Sequence, residues 1–323
     1  MESVERLRRL EGIIPPTVTP LNRDGSVDRK GLQRVLEFQL AQGVAGIFLL
    51  GSTGEFANLS ARQRQEVVEV GVEVVQRRVP VLVGLGGEGT EAAVEFARAV
   101  ERSGADGLVS LPPRYYLYQG VEHQACLEFY LRLLEAIELP LFAYNNPRLA
   151  RTWIPLETLM ALAEEERFAG VKESSADFHY FQSLLQVLNG RVAVLQGSER
   201  LLLASALMGA QGGVHGLANL LAWPCQSLWQ KARQFPLSQE GLEALRREQF
   251  RLIAASKLLF DHPSPLAHLK GVMERLGLCQ RWVSSPFPQA QDEAIERACQ
   301  GLQRLGFWED LLRWAEEARG KAG

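Results

Sequence analysis

Lys172 is the side chain whose surroundings in the sequence point most clearly to chemistry. It directly follows the apolar run FAGV at 168–171, and it is one of only six lysines among the 35 basic residues of the chain. Burial at the end of such a strand disfavours the ammonium ion and lowers the pKa, so that a neutral amine is available to attack a carbonyl group. A lysine that ends a strand and pairs with a nearby carboxylate such as Glu173 explains the same position equally well.

Hydroxyl groups follow two other apolar runs. The turn GSTGE at 51–55 carries Ser52 and Thr53, and its hydroxyl and backbone N–H groups are suited to binding a carboxylate. Tyr144 ends the run LFAY and could pass protons to a bound intermediate. Taken alone, each has a more ordinary interpretation, a helix-capping turn for the first and a packed core tyrosine for the second.

The remaining polar residues indicate neither metal nor disulfide chemistry. Four cysteines lie far apart without a CxxC pair, and five histidines form neither a triad nor a metal-ligand spacing. His215 is the histidine expected nearest to the strand ends, where it could line the mouth of a site. The pair Tyr115 and Tyr116 in PPRYYLY is typical of an aromatic interface loop. We therefore expect a metal-independent mechanism.

Short apolar runs recur along the first 219 residues, each followed by an amphipathic stretch. They begin near residues 13, 46, 79, 107, 140, 168, 192 and 212. A spacing of about 30 residues is typical of one βα unit, and eight such units favour a closed (β/α)8 TIM barrel over an open sheet. No run is followed by the glycine spacing of a nucleotide-binding loop. In such a barrel the catalytic groups lie at the carboxyl ends of the strands, where Lys172, Tyr144, Ser52 and Thr53 fall.

Helical patterns fill the segments between these runs and the rest of the chain. Residues 28–42 have one apolar face, and Ser60 is a predicted N-cap. After residue 219 the predicted helices cover about 222–234, 238–259, 264–276 and 289–305, with a polar helical tail after Trp308. We therefore expect a catalytic barrel over residues 1–235 and a helical C-terminal subdomain over residues 236–323.

Composition narrows the class of protein. A formal net charge of −3 and a pI near 6.1 provide no basic surface for nucleic acid. The first six residues are mostly charged or polar and lack the apolar core of a signal peptide. No apolar run approaches the roughly 18 residues of a membrane span. We expect a cytoplasmic protein with neither a nucleic-acid nor a membrane partner.

The motifs at the strand ends, taken in order, resemble one known family. They are GIIPPTVTPLNRDGSVD, GSTGE, GADGLVSLPPRYY, YNNP, GVKESSAD, LQGSE, GGVHGLAN and HPSPLAHLKGVMERLGL, from Gly12 to about Leu305. Each motif is modest alone, but the ordered set at this spacing is highly specific. It is similar to the dihydrodipicolinate synthase/N-acetylneuraminate lyase family of pyruvate-dependent class I aldolases.

The resemblance implies a role for each matching residue. Lys172 matches the lysine that forms the Schiff base, and Tyr144 matches the tyrosine that acts as general acid and base beside the imine. Ser52 and Thr53 match the hydroxyl pair that holds the pyruvyl carboxylate and joins the proton relay. Tyr116 matches the tyrosine that reaches into the neighbouring subunit's site.

The resemblance also implies pocket residues, a cofactor requirement and an assembly. Gly197 and Val214 match positions that line the pocket near the lysine, and Arg114 leaves the register of Tyr115 and Tyr116 open by one residue. The covalent imine on the lysine makes a separate cofactor unnecessary. The family commonly forms homotetramers built as dimers of dimers, so a homodimer or homotetramer is expected, with a small-molecule 2-oxo acid as substrate.

The chain departs from the synthases five residues after Tyr144. The synthases have an arginine there, which clamps the carboxylate of aspartate semialdehyde, whereas this chain has Leu149 between Arg148 and Arg151. Unless the loop shifts, the second substrate's carboxylate loses a bidentate partner. The departure favours a catabolic role over lysine biosynthesis.

Three functions fit these features. The favoured one is a Schiff-base lyase, an aldolase or dehydratase, that acts on pyruvate or a related 2-oxo acid such as a 2-keto-3-deoxy sugar acid. The alternative within the same class is a 4-hydroxy-tetrahydrodipicolinate synthase, which condenses pyruvate with aspartate semialdehyde. The alternative from another class is a non-catalytic barrel that binds 2-oxo acids, and the presence of Lys172, Tyr144 and Thr53 counts against it.

Overall fold

Eight parallel strands form the centre of the computed structural model, which describes residues 2–86, 89–113, 123–188 and 190–322. All of their residues are buried, as expected for strands covered on both faces. The strands are β1 (Gly12–Ile13), β2 (Ile47–Leu49), β3 (Val81–Leu85), β4 (Gly107–Ser110), β5 (Leu141–Asn145), β6 (Phe168–Glu173), β7 (Ala193–Gln196) and β8 (Gly212–Gly213).

The strands close into a barrel. Their order is β1-β8-β7-β6-β5-β4-β3-β2, with parallel pairing between neighbours. The ring is completed between β1 and β2, where the Ala45 N–H donates to the Ile13 carbonyl and the Thr17 N–H donates to the Phe48 carbonyl, both at 2.9 Å. The predicted (β/α)8 barrel is therefore confirmed.

Helices follow the strands and cover the outside of the barrel. They are α1 (Glu2–Arg8), α2 (Arg29–Ala41), α3 (Ala61–Val75), α4 (Thr90–Arg102), α5 (His123–Ala136), α6 (Pro147–Ala150), α7 (Leu156–Leu162), α8 (Phe178–Leu188), α9 (Leu202–Leu207), α10 (Ala218–Ala232), α11 (Gln239–Phe260), α12 (Pro265–Arg275), α13 (Asp292–Arg304) and α14 (Trp308–Lys321). The predicted N-cap at Ser60 is present as a capping box with Gln63. In the described ranges, no helix is both long enough and apolar enough to cross a membrane.

The first helix, α1, was not identified from the sequence. Its Leu7 is only 1% exposed, and its Arg8 Nε donates to the carbonyl of Phe168 at 3.0 Å. Because Phe168 begins β6, α1 lies against the amino ends of the strands. The carboxyl ends at the opposite side of the barrel carry the candidate site residues.

The C-terminal helices share the core of the barrel. One continuous cluster of buried apolar side chains includes residues of the strands and of α11–α14. The tail after Trp308 is helical and largely polar as predicted, and it also has a buried apolar face, since Leu311 and Ala315 are fully buried where α14 packs on α2. A few apolar residues at helical spacing suffice to bury one face of a largely charged helix. The division between 1–235 and 236–323 stays a prediction.

Candidate active site

Lys172 and Tyr144 lie side by side on neighbouring strands. The two are paired in the parallel register of β5 and β6, so their side chains point to the same face of the sheet. The Lys172 Nζ lies 3.9 Å from the centroid of the Tyr144 ring and 4.6 Å from that of the Phe48 ring. Both residues are almost completely buried. The barrel therefore places an amine and a phenol together in a nearly enclosed site.

Burial and the mutual interaction of the two groups set the acid–base properties of this pair. Burial lowers the pKa of Lys172, and the Tyr144 hydroxyl opposes the shift only in part. For Tyr144, burial alone would raise the pKa, but the Lys172 ammonium and a hydrogen bond from Asn146 bring it below its ordinary value. An amine and a phenol that both release a proton more easily than usual are suited to forming an imine and to moving protons.

Glu173 does not pair with the neighbouring lysine. Its side chain points to the other face of the sheet, where Asn145 Nδ2 donates to Oε2 at 2.5 Å and the Ser175 N–H donates to Oε1. In the described part of the chain, the groups that shift the pKa of Lys172 include no carboxylate. Burial raises the pKa of Glu173, partly opposed by these hydrogen bonds. The interpretation of Lys172 as an ion-paired strand end is therefore wrong.

The turn at 51–55 brings a hydroxyl group to Tyr144. Ser52 Oγ is buried and forms no hydrogen bond of good geometry with a described residue, yet it lies close enough to the Tyr144 hydroxyl to help lower its pKa. Thr53 is partly buried in the same turn. The Tyr144 hydroxyl accepts its hydrogen bond from Asn146 instead of Thr53. The proton relay through Thr53 stays a prediction.

Asn146 is a site residue that the sequence analysis did not identify. Its Nδ2 donates to the Tyr144 hydroxyl at 3.0 Å, and its Oδ1 accepts from the Leu149 N–H at 3.3 Å as the N-cap of α6. The amide donor stabilises the phenolate form of Tyr144. The signal was present in YNNP, since an asparagine before a proline is a common helix N-cap, and the cap orients the amide.

Gly197 and Val214 lie at the ends of the two strands that follow β6. The Gly197 N–H donates to the Glu173 carbonyl at 2.6 Å, and a Cβ added at Gly197 would lie only 2.6 Å from the same backbone carbonyl oxygen. Only glycine fits beside the carboxyl end of β6. The Val214 N–H donates to the Gln196 carbonyl at 2.8 Å, continuing the β7–β8 pairing. Gly197 thus lies beside the end of the strand that carries Lys172, while the contact of Gly197 and Val214 with a substrate stays a prediction.

Tyr116 lies outside the described residues, together with Tyr115 and Arg114. The role of Tyr116 in the neighbouring subunit's site therefore stays a prediction. At the position where the synthases have an arginine, Leu149 is 37% exposed. Its neighbours Arg148 and Arg151 are exposed as well.

His215 lies just beyond β8 and is fully buried. Neither ring nitrogen forms a hydrogen bond of good geometry with a described residue, although the Gly197 carbonyl is near. Burial lowers the pKa of His215 to about 3, and the Lys172 ammonium contributes to the shift. The imidazole is therefore neutral and enclosed at ordinary pH.

Comparison with known proteins agrees with the barrel and its strand-end motifs. A family profile described as the dihydrodipicolinate synthetase family matches residues 9–304. A 4-hydroxy-tetrahydrodipicolinate synthase from Methanosarcina barkeri is 29% identical over 301 residues, which cover 93% of this chain and 99% of that protein. A probable 2-dehydro-3-deoxy-D-pentonate aldolase from Escherichia coli is 28% identical over 296 residues, which cover 90% of this chain and 96% of that protein.

A solved structure extends the likeness to three dimensions. The chloride-inhibited dihydrodipicolinate synthase from Acinetobacter baumannii, complexed with pyruvate, superposes with a TM-score of 0.83 at 26% identity. The superposition covers 92% of this chain and 99% of that chain. Because the family profile spans all eight strands and nearly the whole chain, this protein belongs to the dihydrodipicolinate synthetase family and is a lyase.

Proposed function

We propose that this enzyme is a Schiff-base lyase that binds pyruvate or a related 2-oxo acid on Lys172, with 2-keto-3-deoxy sugar acids as the favoured substrates. The observation that carries the proposal is the state of Lys172, which is buried against the Tyr144 ring and has a lowered pKa. A buried amine of this kind is suited to attacking a ketone. Two relatives support the substrate class, since one is named as an aldolase of a 2-dehydro-3-deoxy sugar acid and the other was solved with pyruvate.

The chemistry follows from the neighbouring groups. The Lys172 amine attacks the 2-oxo carbon, water leaves, and the resulting iminium draws electrons from the adjacent carbons. Tyr144 takes the proton of the C4 hydroxyl, and the C3–C4 bond breaks. The electron pair of that bond moves toward the iminium and forms an enamine, while the part of the substrate that begins at C4 departs as an aldehyde. Protonation of C3 and hydrolysis of the imine release pyruvate. A dehydratase would instead lose the C3 proton and then a hydroxide, with the imine again as the electron sink and no separate cofactor.

Other residues of the site are assigned to binding. Ser52 and Thr53 would hold the carboxylate next to the reacting carbonyl, while Gly197 and Val214 would line the pocket beside Lys172. The turn supports this assignment because Ser52 Oγ is buried near Tyr144 without a completed hydrogen bond among the described residues. A buried hydroxyl whose hydrogen bonding is incomplete gains by donating to a bound carboxylate.

Trapping with borohydride tests the imine and ranks the substrates. The protein is incubated with a panel of 2-oxo acids and borohydride, and the modified peptide is found by mass spectrometry. We expect one reduced adduct on Lys172 with pyruvate and with the preferred sugar acid, and the same adduct in Lys257→Met, since Lys257 is exposed on α11. Wild-type protein without an adduct on Lys172 would contradict the proposal.

A second function, 4-hydroxy-tetrahydrodipicolinate synthase, is favoured by the name of the Methanosarcina relative. It requires a cation for the carboxylate of aspartate semialdehyde, and Arg148 and Arg151 are exposed beside Leu149. A coupled assay with pyruvate and aspartate semialdehyde, repeated with Arg148→Ala and Arg151→Ala, decides this. Synthase activity that falls in either variant would favour this function over sugar-acid cleavage.

We also propose a cytoplasmic homodimer or homotetramer, with a barrel over 1–235 and a subdomain over 236–323. The family resemblance supports this assembly, in which Tyr116 reaches the neighbouring subunit's site. Sedimentation velocity measures the assembly. Mixing inactive Tyr116→Phe with inactive Lys172→Met should restore part of the activity if Tyr116 acts across the interface, and Tyr115→Phe tests the register.

A further inference from the structure

A second lysine is buried at the end of the turn that carries the hydroxyl groups. Lys270 on α12 forms an ion pair with Glu55, the last residue of the GSTGE turn, and both side chains have 0% exposure. The partners are 215 residues apart in the chain. The contact therefore joins the C-terminal helices to a loop at the carboxyl end of β2.

The Glu55 carboxylate is the centre of a completed network. One oxygen, Oε1, accepts from Lys270 Nζ, and the other, Oε2, accepts from both the N–H and the hydroxyl of Ser284 at 2.7 Å. Lys270 Nζ also donates to the Trp282 carbonyl at 2.8 Å, and Asn58 Nδ2 donates to Ser284 Oγ at 2.9 Å. Among the described residues, the other hydrogen bonds of the carboxylate come from Ser284 in the segment after α12, so two parts of the C-terminal region hold one side chain.

The turn itself has a backbone that needs such support. Glu55 has φ of +59°, in the left-handed region that a residue with a Cβ rarely adopts. The preceding Gly54 is held as well, because Thr19 Oγ1 donates to its carbonyl at 2.7 Å and an added Cβ would lie 3.0 Å from the Thr17 carbonyl oxygen. Disfavoured backbone conformations persist only where the surroundings hold them in place.

A buried ion pair is a poor device for stability alone. Apolar residues of similar volume often stabilise a fold equally well, because the free-energy cost of removing two charges from water offsets the attraction between them. What a completed buried network can supply is a single arrangement of the groups it holds. In this chain the held group is the turn with Ser52 and Thr53.

We infer that Lys270 and Ser284 are positioning residues that act through Glu55, holding the turn of Ser52 and Thr53 in the conformation that binds the substrate's carboxylate. This rests on the proposed function, in which that turn receives the carboxylate. The inference makes the C-terminal segment part of substrate recognition. Lys172 belongs to a different strand, so the reactivity of its amine does not depend on the network.

Comparing two ketone substrates distinguishes residues that position the carboxylate-binding turn from residues that only support the fold. Pyruvate and hydroxyacetone both offer a ketone to Lys172, but only pyruvate has a carboxylate. Borohydride trapping over a range of ketone concentrations gives, for each ketone, the concentration at which half of the protein is trapped (the half-saturation). In Glu55→Gln and in Lys270→Met we expect the half-saturation for pyruvate to rise about tenfold, the effect of one lost charge-assisted hydrogen bond, with little change for hydroxyacetone.

Further variants separate this effect from unfolding. The double variant Glu55→Gln/Lys270→Met buries no unpaired charge, so it should fold and still lose the preference for pyruvate. Ser284→Ala removes one hydrogen bond to Oε2 and should shift the preference in the same direction by a smaller factor. Glu37→Gln is the matched control, because Glu37 pairs with Arg78 on the outside of the barrel and should leave both half-saturations unchanged.

The results with these variants distinguish failure of the positioning inference from failure of the proposed function. If the double variant and Ser284→Ala fold and keep the wild-type ratio of the two half-saturations, the inference is wrong. An equal rise for both ketones would also overturn it, since that result indicates general support of the barrel. Wild-type protein that traps no pyruvate at all would instead contradict the proposed function.

Discussion

Two buried lysines in this barrel have opposite surroundings. Lys172 is 5% exposed and has the faces of Tyr144 and Phe48 around its amine, whereas Lys270 is 0% exposed and donates to the Glu55 carboxylate. The aromatic faces attract a cation only weakly compared with a carboxylate, so burial prevails at Lys172 and lowers its pKa. The same side chain therefore serves as a candidate nucleophile at one strand end and as a fixed cation near another.

Removing the amine of Lys172 should have the largest effect on activity. In Lys172→Met we expect a loss of about 10⁶-fold in kcat, the order seen when a covalent nucleophile is removed from other enzymes. The loss should be measured in single-turnover cleavage of the preferred 2-oxo acid. Lys257→Met serves as the control on an exposed lysine. Lys172→Met with activity near wild type would make Lys172 an ordinary buried lysine.

Tyr144→Phe should slow the reaction while leaving the imine able to form. Loss of a general acid and base typically lowers the rate by about 10²- to 10⁴-fold. Borohydride should still trap pyruvate on Lys172 at saturating concentration, since the amine and its burial remain. Asn146→Ala, which removes the hydrogen bond to the Tyr144 hydroxyl, should lower kcat less. A Tyr144→Phe enzyme with unchanged kcat would exclude Tyr144 from proton transfer.

The two lysines should differ in what they contribute to stability. Lys270→Met leaves the buried Glu55 carboxylate without its cation, so the free energy of unfolding should fall by about 3–5 kcal/mol. Lys172→Met leaves no carboxylate of the described residues unpaired, so the free energy of unfolding should not fall. Urea denaturation at one protein concentration measures both variants. Equal losses would contradict the difference in their surroundings.

His215 extends the comparison to a buried group near Lys172. The unfolded chain binds a proton at His215 below about pH 6.5, while the folded chain does not until about pH 3. Between about pH 6.5 and pH 3 the unfolded state therefore holds more protons than the folded state, so the free energy of unfolding of the wild-type protein should fall as the pH falls. The slope should be steeper than in His215→Gln by about 1.4 kcal/mol per pH unit. Urea denaturation between pH 6.5 and 4 gives both slopes, and parallel slopes would show that His215 is protonated in the folded protein.

Local sequence patterns predicted the elements that form the barrel. Apolar runs such as FAGV before Lys172 are continuous because strands covered on both faces need no polar side. Ser60 could be recognised as a cap because capping depends on residues within one helical turn. α1 escaped notice because its seven residues are mostly charged and only its packing beneath β6 reveals the role of Leu7.

Within the site, residue type and position at a strand end sufficed to select Lys172, Tyr144 and Ser52. They did not identify Asn146, whose amide reaches the Tyr144 hydroxyl only because it also caps α6. They also could not decide between a free and an ion-paired Lys172.

What the sequence by itself determined is the order of βα units and the family, and it also selected Lys172 as the candidate amine, because these depend on residue type and spacing along the chain. Only the tertiary structure decided the partners of the two buried lysines. The parallel register of β5 and β6 turns Glu173 to the opposite face from Lys172, since side chains alternate along a strand. The return of α12 to the carboxyl end of β2 brings Lys270 to Glu55 across 215 residues. Contacts so distant in sequence arise from chain packing, and they determine which of the two lysines has a carboxylate partner.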